Sequence, residues 1–316
     1  MEKTKPQSSA QFAATAIPLI RPYNGPATKH IMNLGDAREL GWVQDASIHL
    51  VVTSPPYFNL KKYNDHEDQL GNLADYDIFL NELDRVWAHC YRVLVPGGRV
   101  VCNVGDVCIA RRKNNGRHVV LPLHADISVR ARRLGFDFLT PIIWNKIANA
   151  RFEGKGNGGG FLGKPYEPNG IIKNDIEYIL MLRKHGGYRK PTEEQRATSR
   201  LTKEEQKEWF QPFWTGLTGT SSRHHPAPFP VALPYRLIRM FSFTGDTILD
   251  PFGGTASTSI AAIKANRNSI TNELDSGYFD LGVERVREEV TKFALLKAAP
   301  KIKVQKSVSD VVMLMP

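Results

Sequence analysis

The sequence predicts an α/β fold with a doubly wound, mostly parallel sheet. Short apolar runs that look like buried strands alternate with longer segments whose apolar residues recur at helical spacing. Several of these runs stop at Pro, Gly or Asp, which are residues that end strands. Because parallel strands must be joined by long crossover connections, usually helices, this alternation is typical of a parallel sheet covered on both faces.

The elements before residue 150 follow this alternation closely. A short apolar segment in HIMNLGD precedes a strand in HLVVTSPPY, and a helix capped by Asp75 covers DYDIFLNELDRVWAHCYRVL. The Pro-Gly-Gly turn of VPGGRVVCNVGD introduces the next strand. PLHADISVRARRLGF is predicted to be a helix that ends at Gly135, and FDFLTPIIWNK to be a further strand.

The elements after residue 150 first interrupt the pattern and then resume it. The glycine-rich stretch 151–170 is predicted to be a mobile loop, because glycine makes regular structure costly, and IEYILML to be a strand. Residues 183–223 form a basic and aromatic insertion. We expect residues 1–29 to be a loosely ordered arm and residues 298–316 to be a frayed tail. The alternation returns with a helix in PVALPYRLIRMFSF, a strand in TILDPF, a helix in GTASTSIAAIKANR, a strand in NSITNEL and a helix in YFDLGVERVREEVTKFALLKAA.

Composition narrows the classes of function. The chain has 316 residues, of which 41% are hydrophobic, enough for a substantial core. A net charge of +10 and a pI near 9.5 favour a polyanionic partner such as nucleic acid, although surplus Lys and Arg also form solvated surface. Cys90, Cys102 and Cys108 lack C-x-x-C spacing, which argues against a disulfide framework and a zinc site, and we expect no metal. No segment is long and apolar enough to span a bilayer, so a cytoplasmic, reducing location is expected.

The stretch HLVVTSPPYFNL holds the first candidate site. Its apolar run fits a buried strand, and the consecutive Pro55 and Pro56 must end that strand because each lacks a backbone N–H. The result is a rigid polar corner at the carboxyl end of a strand, where open α/β sheets place their chemistry. Taken alone, the stretch also fits a strand followed by an ordinary turn.

The stretch GDTILDPFGGTASTSIAA holds the second candidate site. A strand ends at Asp250, a glycine-containing turn follows, and a helix of small residues begins, which allows a ligand to approach the backbone closely. Glu273 closes the next strand, at a position where carboxylates accept ribose hydroxyls in nucleotide pockets. The stretch lacks the G-x-G-x-x-G fingerprint, and taken alone it fits a tight strand-to-helix connection equally well.

The two stretches together are far more specific than either one. The chain resembles the β class of S-adenosylmethionine-dependent DNA amino-methyltransferases, in which an S/D-P-P-Y corner comes first, a target-recognition region second and a D-P-F-x-G-x-G loop last. Gly35-Asp36, PIIWNK and HPAPFP resemble smaller motifs of that class. Ala256 departs from it, because it stands where the family usually has the second loop glycine; we expect the loop to tolerate the extra methyl group with a slightly altered fit.

This resemblance implies a Rossmann-like methyltransferase fold with a permuted motif order. Residues 30–182 would form its catalytic half, residues 183–223 its inserted target-recognition region and residues 224–297 its cofactor-binding half. The implied catalytic residues are Ser54, Pro55, Pro56 and Tyr57. The implied S-adenosylmethionine-binding residues are Asp36, Thr53, His225, Pro226, Asp250, Pro251, Phe252, Gly254, Thr255, Ser257, Glu273 and Leu274. The implied DNA-binding residues are Lys155, Lys164, Arg189, Lys190, Arg196, Arg200, Lys203 and Arg223.

Such a corner suits methyl transfer to an exocyclic amine. The amine is a poor nucleophile because its lone pair is delocalised into the base, and acceptors for both of its hydrogens favour a pyramidal nitrogen. The Ser54 hydroxyl and the Pro55 carbonyl would be these acceptors, and Tyr57 would stack on the base. A base inside a duplex cannot reach the corner, so the target nucleotide should be flipped out.

Several alternatives remain open from the sequence. In this family a serine at the first corner position is associated with cytosine N4 and an aspartate with adenine N6, so Ser54 favours cytosine while adenine stays open. Structured RNA is a further possible substrate, and an inactive methyltransferase-like module that only binds nucleic acid is a different class of function. Asp36 also fits a turn carboxylate, and the insertion also fits a solvated helix.

The implied partners follow from the same resemblance. We expect double-stranded DNA, with a cognate restriction endonuclease that shares the recognition site as a possible partner. We also expect a monomer or homodimer without membrane contact, from a bacterial, archaeal or viral source. The glycine-rich loop either closes over DNA or has no function.

Overall fold

The fold is taken from a computed structural model that describes residues 26–58, 68–146, 161–162, 168, 170–172, 174–215, 217, 230–293 and 299–306. Most of the predicted glycine-rich loop and most of the predicted arm lie outside these residues. So do the five predicted site residues Lys155, Lys164, Arg223, His225 and Pro226.

Strands and helices alternate along most of the chain, as the sequence predicts. The strands are β1 (Lys29–Leu34), β2 (Ile48–Thr53), β3 (Leu94–Val104), β4 (Val107–Ile109), β5 (Val119–Leu121), β6 (Phe136–Asn145), β7 (Phe161–Leu162), β8 (Ile171–Ile172), β9 (Ile176–Lys184), β10 (Phe213–Trp214), β11 (Thr247–Asp250), β12 (Asn268–Glu273) and β13 (Lys301–Lys306). The helices are α1 (Tyr76–Val93), α2 (Leu123–Arg133), α3 (Glu193–Ser199), α4 (Lys203–Trp209), α5 (Ala232–Phe241), α6 (Ser257–Lys264) and α7 (Ser276–Thr291).

One large sheet organises the described part of the chain. Its strand order is β10-β6-β9-β3-β2-β11-β12-β1-β13, and two small hairpins, β4-β5 and β7-β8, lie outside it. All neighbouring pairs of the large sheet are parallel except those of β9, which runs antiparallel to both β3 and β6. The predicted fold class, α/β with a mostly parallel sheet, is therefore confirmed, with one reversed strand inside it.

Helices cover both faces of this sheet. On one face, α1 and α2 pack against alternate strand residues such as Val100 and Cys102. On the other face, α5 and α6 pack against the intervening residues such as Val101 and Leu50. A third apolar cluster joins α6 and α7 to β1. Successive side chains of a strand point to opposite faces, so the apolar runs Leu50–Val52 of β2 and Val100–Cys102 of β3 are buried on both faces of the sheet.

The carboxyl end of the described chain differs from the expectation of a frayed tail. Residues 301–306 form β13, which pairs in parallel with β1 from Lys29↔Lys301 to Leu34↔Lys306. The segment KIKVQK buries none of its side chains fully, so it lacks the apolar signal of a core strand. Backbone pairing at the sheet edge, which the side-chain pattern does not reveal, orders it instead.

The basic insertion is also more closely joined to the core than its composition suggests. Its two short helices, α3 and α4, each begin with a capping box, at Thr192 and Thr202 respectively. Trp209 and Trp214 are buried in the same apolar cluster as β2, β3 and α5. The interpretation as a solvated helix is correct for α3, which buries no residue. It does not extend to Trp209, at the end of α4, or to Trp214, because both are core residues.

The described helices show no membrane-spanning character. Within the ranges given above, none combines sufficient length with sufficient apolar content to cross a bilayer.

Close packing of the loop after β11 gives a test of this fold. A Cβ atom on Gly253 would lie 2.1 Å from Cγ2 of Thr271 and 3.2 Å from the carbonyl oxygen of Asn272. Thr271 is buried and stiff at χ1, so Gly253→Ala should destabilise the protein by about 1–3 kcal/mol. The measurement is the midpoint of thermal unfolding. Gly41→Ala is the matched control, because nothing lies within 4 Å of its Cβ position. Equal midpoints for the two variants would contradict the packing described here.

Candidate active site

The two candidate stretches meet at one edge of the sheet. β2 ends at Thr53 and β11 ends at Asp250, and the two strands are parallel neighbours with Leu50 opposite Ile248. β12, which ends at Glu273, and β1, which ends at Leu34, are the next strands in the sheet. Parallel neighbours end at the same edge, so the Ser54 corner, the loop after Asp250 and Glu273 all lie there.

A buried carboxylate joins the two stretches directly. Asp250 is 1% exposed, and its Oδ1 accepts a hydrogen bond from the Thr53 hydroxyl at 2.7 Å and one from the Phe252 N–H at 3.2 Å. Its Oδ2 accepts one from the Thr258 hydroxyl at 2.6 Å. Burial raises the pKa of Asp250 to about 6, although these hydrogen bonds favour the ionised form. Asp250 therefore sits beneath the site as a link between β2 and β11 and does not line the pocket.

Glu273 holds the loop that follows β11. Its Oε2 accepts a hydrogen bond from the Gly254 N–H at 2.6 Å, and its Oε1 accepts one from the Asp275 N–H at 2.9 Å. Burial is the largest influence on this carboxyl group and raises its pKa to about 7. The side chain thus anchors the glycine loop while it faces the pocket.

Ala256, which stands where the resembled family usually has a glycine, adopts a backbone conformation that favours glycine. Ala256 has φ of 63° and ψ of 32°, a left-handed conformation that costs an L-residue about 1–2 kcal/mol. Its methyl group is fully buried against Gly282, where an added Cβ would approach it to 3.3 Å. The loop accommodates alanine because the facing residue on α7 is a glycine.

A pocket opens between the corner, the glycine loop and Glu273. The space between its walls, with the open solvent at its mouth included, is about 650 Å³. Ten predicted site residues line it: Asp36, Ser54, Pro55, Pro56, Tyr57, Pro251, Phe252, Gly254, Glu273 and Leu274. Ala37, Asp68, Gln69, Leu70 and Tyr278 also line it and were not predicted from the sequence.

Aromatic packing shapes the walls of this pocket. The Phe252 ring meets the edge of Trp87 on α1, with ring centroids 6.4 Å apart and an angle of 77° between the planes. Tyr57 is only 6% exposed and packs in the apolar cluster that α1 and α2 form with the sheet. Both side chains are therefore held by the core as well as facing the pocket.

The carboxylate of Asp36 is already engaged by an arginine. Arg38 donates to it from Nε at 2.8 Å and from its backbone N–H at 2.7 Å. The same guanidinium reaches Glu82 on α1 at 2.6 Å and Asp68 at 2.7 Å. These acidic neighbours raise the pKa of Arg38 above its already high value, with the Asp36 hydrogen bond as the largest cause. One arginine thus ties the mouth of the pocket to α1.

Two other predicted residues lie away from the pocket. The hydroxyl of Thr255 accepts a hydrogen bond from Arg285 of α7 at 2.7 Å, and its carbonyl accepts a second one from the same guanidinium. Ser257 is the first residue of α6 and is buried. Thr53, as described above, faces Asp250. These three residues support the loop and the strand end.

The described residues of the predicted DNA-binding set do not meet the Ser54 corner. Arg189, Arg196 and Arg200 line a different groove together with His49, which lies near the amino end of β2. Arg189 also forms an ion pair with buried Asp246, with Nη1 2.9 Å from Oδ1. Lys190 and Lys203 are exposed. The contact of these residues with target DNA stays a prediction.

A polar cluster beside the corner was missed by the sequence analysis. Glu177 on β9 accepts hydrogen bonds from the Asn103 amide on β3 and from the Lys146 ammonium after β6, each at 2.7 Å. In the register of the sheet, Cys102 stands opposite Thr53, so Asn103, the next residue of β3, stands at the level where Ser54 follows β2. The signal available in the sequence was the pair of strand ends in CNVGD and IIWNK.

The missed pocket residues had weaker sequence signals. Tyr278 lies five residues after Glu273, in the first turn of α7, where a strand-to-helix connection of this kind often faces a ligand. Asp68, Gln69 and Leu70 belong to a segment without periodicity, so nothing in their pattern pointed to the pocket. Among the described residues, no group of three or more His, Cys, Asp or Glu side chains could hold a metal ion.

Known proteins are similar to this chain in sequence and in architecture. The sequence profile of a family described as DNA methylase (N6_N4_Mtase) matches residues 48–284. The type II methyltransferase M.MjaI of Methanocaldococcus jannaschii is 38% identical over 290 residues, which cover 82% of this chain and 91% of that protein. The type II methyltransferase M.MthZI of Methanothermobacter thermautotrophicus is 36% identical over 83% of this chain and 77% of that protein.

Solved structures of DNA methyltransferases are also similar to this chain. The putative DNA modification methylase TTHA0409 of Thermus thermophilus, crystallised in complex with S-adenosyl-L-methionine, is 48% identical and superposes with a TM-score of 0.71 over 88% of this chain and 99% of that chain. The cytosine-N4-specific PvuII DNA methyltransferase has a TM-score of 0.57 over 90% of this chain and 99% of that chain, at 17% identity, which shows a shared fold. Because the family profile spans most of the chain and the identity to M.MjaI extends over most of both proteins, the chain belongs to the N6/N4 DNA methylase family.

Proposed function

We propose that this DNA methyltransferase transfers a methyl group from S-adenosylmethionine to the exocyclic N4 amine of a flipped-out cytosine in double-stranded DNA. The observation that carries the proposal is the shared pocket, in which the Ser54 corner and Glu273 face the same space, while Asp250 ties β2, the strand that leads into the corner, to its neighbour β11. The serine at the first corner position favours cytosine over adenine. Transfer to adenine N6 is the second candidate, since the same pocket and corner would serve it.

The pocket residues fit S-adenosylmethionine chemically. Glu273 offers carboxylate oxygens of the kind that accept ribose hydroxyls, and Phe252 and Tyr278 offer aromatic surface for an adenosyl group. Gly254, with φ of +51°, lets the loop backbone come close to a ligand. When bound, the cofactor supplies an electrophilic methyl group on a sulfonium.

The corner prepares the nucleophile for that methyl group. The Ser54 hydroxyl oxygen and the Pro55 carbonyl oxygen would accept hydrogen bonds from the two amine hydrogens, which localises the nitrogen lone pair. Proline at positions 55 and 56 removes backbone donors that would compete for these acceptors and fixes the direction of the chain. Holding the amine in line for displacement removes much of the entropic barrier. The polar cluster of Asn103, Glu177 and Lys146 would face the edge of the same base.

The partners remain part of the proposal. M.MjaI and M.MthZI are named type II methyltransferases. By this similarity we propose that the chain shares its recognition sequence with a restriction endonuclease and acts as a monomer or homodimer.

The reaction and the target base are tested in one experiment. Duplex DNA of mixed sequence is incubated with the protein and S-adenosylmethionine labelled in its methyl group, and the nucleosides are then analysed by mass spectrometry. We expect the label in N4-methylcytosine. Label in N6-methyladenine would retain the mechanism and overturn the assignment of the base. Absence of label from both DNA and RNA would favour a module that binds nucleic acid without catalysis.

Ser54→Ala tests the corner itself. Loss of an acceptor aimed at the reacting amine should lower the rate of methyl transfer by about 10²–10³-fold, as loss of one aligned hydrogen bond does in other enzymes. The thermal midpoint should stay unchanged, because Ser54 is only partly buried. The affinity for S-adenosylmethionine, measured by calorimetry, should also stay unchanged, because the Ser54 hydroxyl is assigned to the amine of the base and not to the cofactor.

Ser47→Ala, at the turn before the same strand, is the matched control for this variant, since within the described part of the chain the Ser47 hydroxyl donates to the Gln44 carbonyl and to no other group. A Ser54→Ala protein that retains full activity would remove Ser54 from the mechanism. Tyr57→Ala is a poorer test, because truncation of this buried ring leaves a cavity that should itself destabilise the protein by about 3–5 kcal/mol.

Glu273 should make cofactor binding pH-dependent. Its pKa is raised to about 7 in the free protein, so the carboxyl group is mainly protonated at pH 6 and mainly ionised at pH 8. The ionised form is the stronger acceptor for hydroxyl groups, so the affinity for S-adenosylmethionine should fall about tenfold from pH 8 to pH 6. Calorimetric titrations across this range measure the effect. Glu273→Gln should bind weakly with a flat profile; a variant that keeps the wild-type pH dependence would show that another group is responsible.

A further inference from the structure

A second concave surface lies at the opposite end of the sheet from the pocket. Its described lining includes His49 of β2, Arg99 of β3, and residues of the basic insertion and of the end of α5. β2 runs from Ile48 to Thr53, so at about 3.3 Å per residue this surface lies roughly 16 Å from the Ser54 corner. We call this surface the arginine groove. Its lining arginines are Arg99, Arg189, Arg196, Arg200 and Arg239.

The charge of the arginine groove is unbalanced. No Asp or Glu stands among its described lining residues. Arg189 and Arg239 are neutralised from outside the lining, by Asp246 and Glu205 respectively. The guanidinium groups of Arg99, Arg196 and Arg200 form no hydrogen bond or ion pair with any residue in the described ranges. Three positive charges therefore face one groove without a carboxylate partner.

Arg99 is the most informative of these three. It is partly buried in β3, and its guanidinium lies over the Phe241 ring, 4.9 Å from the centroid. Burial is the largest influence on Arg99 and lowers its pKa; Tyr188 opposes this effect and Arg183 adds to it. Removal of a charged group from water is unfavourable unless an opposite charge compensates for it. An anion seated in the groove would supply that compensation.

Exposed aromatic rings accompany the arginines. Tyr188 is 78% exposed and Phe210 is 54% exposed, and both line the groove. Phe210 makes a T-shaped contact with Phe241, with ring centroids 6.2 Å apart, while about half of its surface stays exposed. Arginines that track a backbone, combined with aromatic faces on which bases stack, are the features of sites for single-stranded nucleic acid.

We propose that the arginine groove binds a single strand of nucleic acid, with phosphates at Arg99, Arg196 and Arg200 and bases stacked on Phe210 and Tyr188. Arg99 is partly buried, so a flexible strand would reach it more easily than a rigid duplex, whose phosphates would meet the exposed Arg196 and Arg200. The site is separate from the pocket that holds the target base. It does not depend on the proposed methylation, because strand binding needs neither the cofactor nor the corner.

Fluorescence anisotropy without S-adenosylmethionine tests this proposal. The probes are a labelled oligonucleotide of about 12 nucleotides and the duplex of the same sequence. Arg99→Gln should weaken strand binding about tenfold, the loss expected for one charge-assisted hydrogen bond, and lower the slope of log K against log salt by about 0.7. Its affinity for duplex should change less than twofold. Arg133→Gln is the matched control, since Arg133 is an exposed arginine on α2 and carries the same charge.

The comparison of the two arginine variants distinguishes binding at the groove from a general loss of positive charge. Equal losses for Arg99→Gln and Arg133→Gln, or equal losses on strand and duplex, would overturn the proposal. Phe210→Ala, which truncates an exposed ring, keeps the test decisive if Arg99→Gln fails to fold; it should weaken strand binding at least fivefold, in line with the loss of one stacked base. Unchanged strand binding by Phe210→Ala would also overturn the proposal. The rate of methyl transfer to duplex DNA is measured separately, so loss of the second site and loss of the proposed catalysis are distinguishable.

Discussion

The active-site end of this protein depends on a single buried carboxylate. Asp250 accepts hydrogen bonds from Thr53 and Thr258, which stand 197 residues before it and eight residues after it. The first bond fixes the residue that precedes Ser54, and the second fixes the helix that follows the glycine loop. A buried carboxylate with this many donors is costly to leave unpaired, so the three segments are held to one arrangement. The position of the corner relative to Glu273 follows from that arrangement.

The surrounding sheet makes the two ends of the same strands chemically different. At the carboxyl edge, polar strand ends and the glycine loop surround a pocket that contains the carboxylates of Asp36 and Glu273. At the amino edge, the insertion and the end of α5 surround a groove with arginines and no carboxylate among its described lining residues. α1 contributes to the first of these through Trp87, which packs on Phe252, and through Glu82, which binds Arg38. Packing of the core and the form of the pocket therefore cannot change independently.

Much of this architecture could be predicted from the sequence, and the rest could not for identifiable reasons. The alternating strands and helices follow from periodicity and from where each strand stops, whereas a shared site for the SPPY and DPFGG stretches was implied by the resemblance to the β class. The reversed direction of β9 could not be predicted, because the apolar pattern of IEYILML is the same for a parallel and an antiparallel strand. β13 was missed because KIKVQK is rich in lysine, a composition that exposed edge strands and disordered tails have in common. Trp209 and Trp214 were read with their basic neighbours, although both are buried in the core. Tyr278 and Asp68 reach the pocket only through tertiary structure.

The neighbouring positions of β2 and β11 have a consequence for how such a chain can be ordered. The two strands are joined by backbone pairing and by the Thr53–Asp250 hydrogen bond, and no direct chain connection passes between them. The two strands can therefore pair in the same way whichever half of the protein, the one with β2 or the one with β11, comes first along the chain. A circular permutation that opened the chain between the two halves and closed it elsewhere would bring the same side chains to the same edge. The site is specified by the register of two adjacent strands and not by the order of the motifs along the polypeptide.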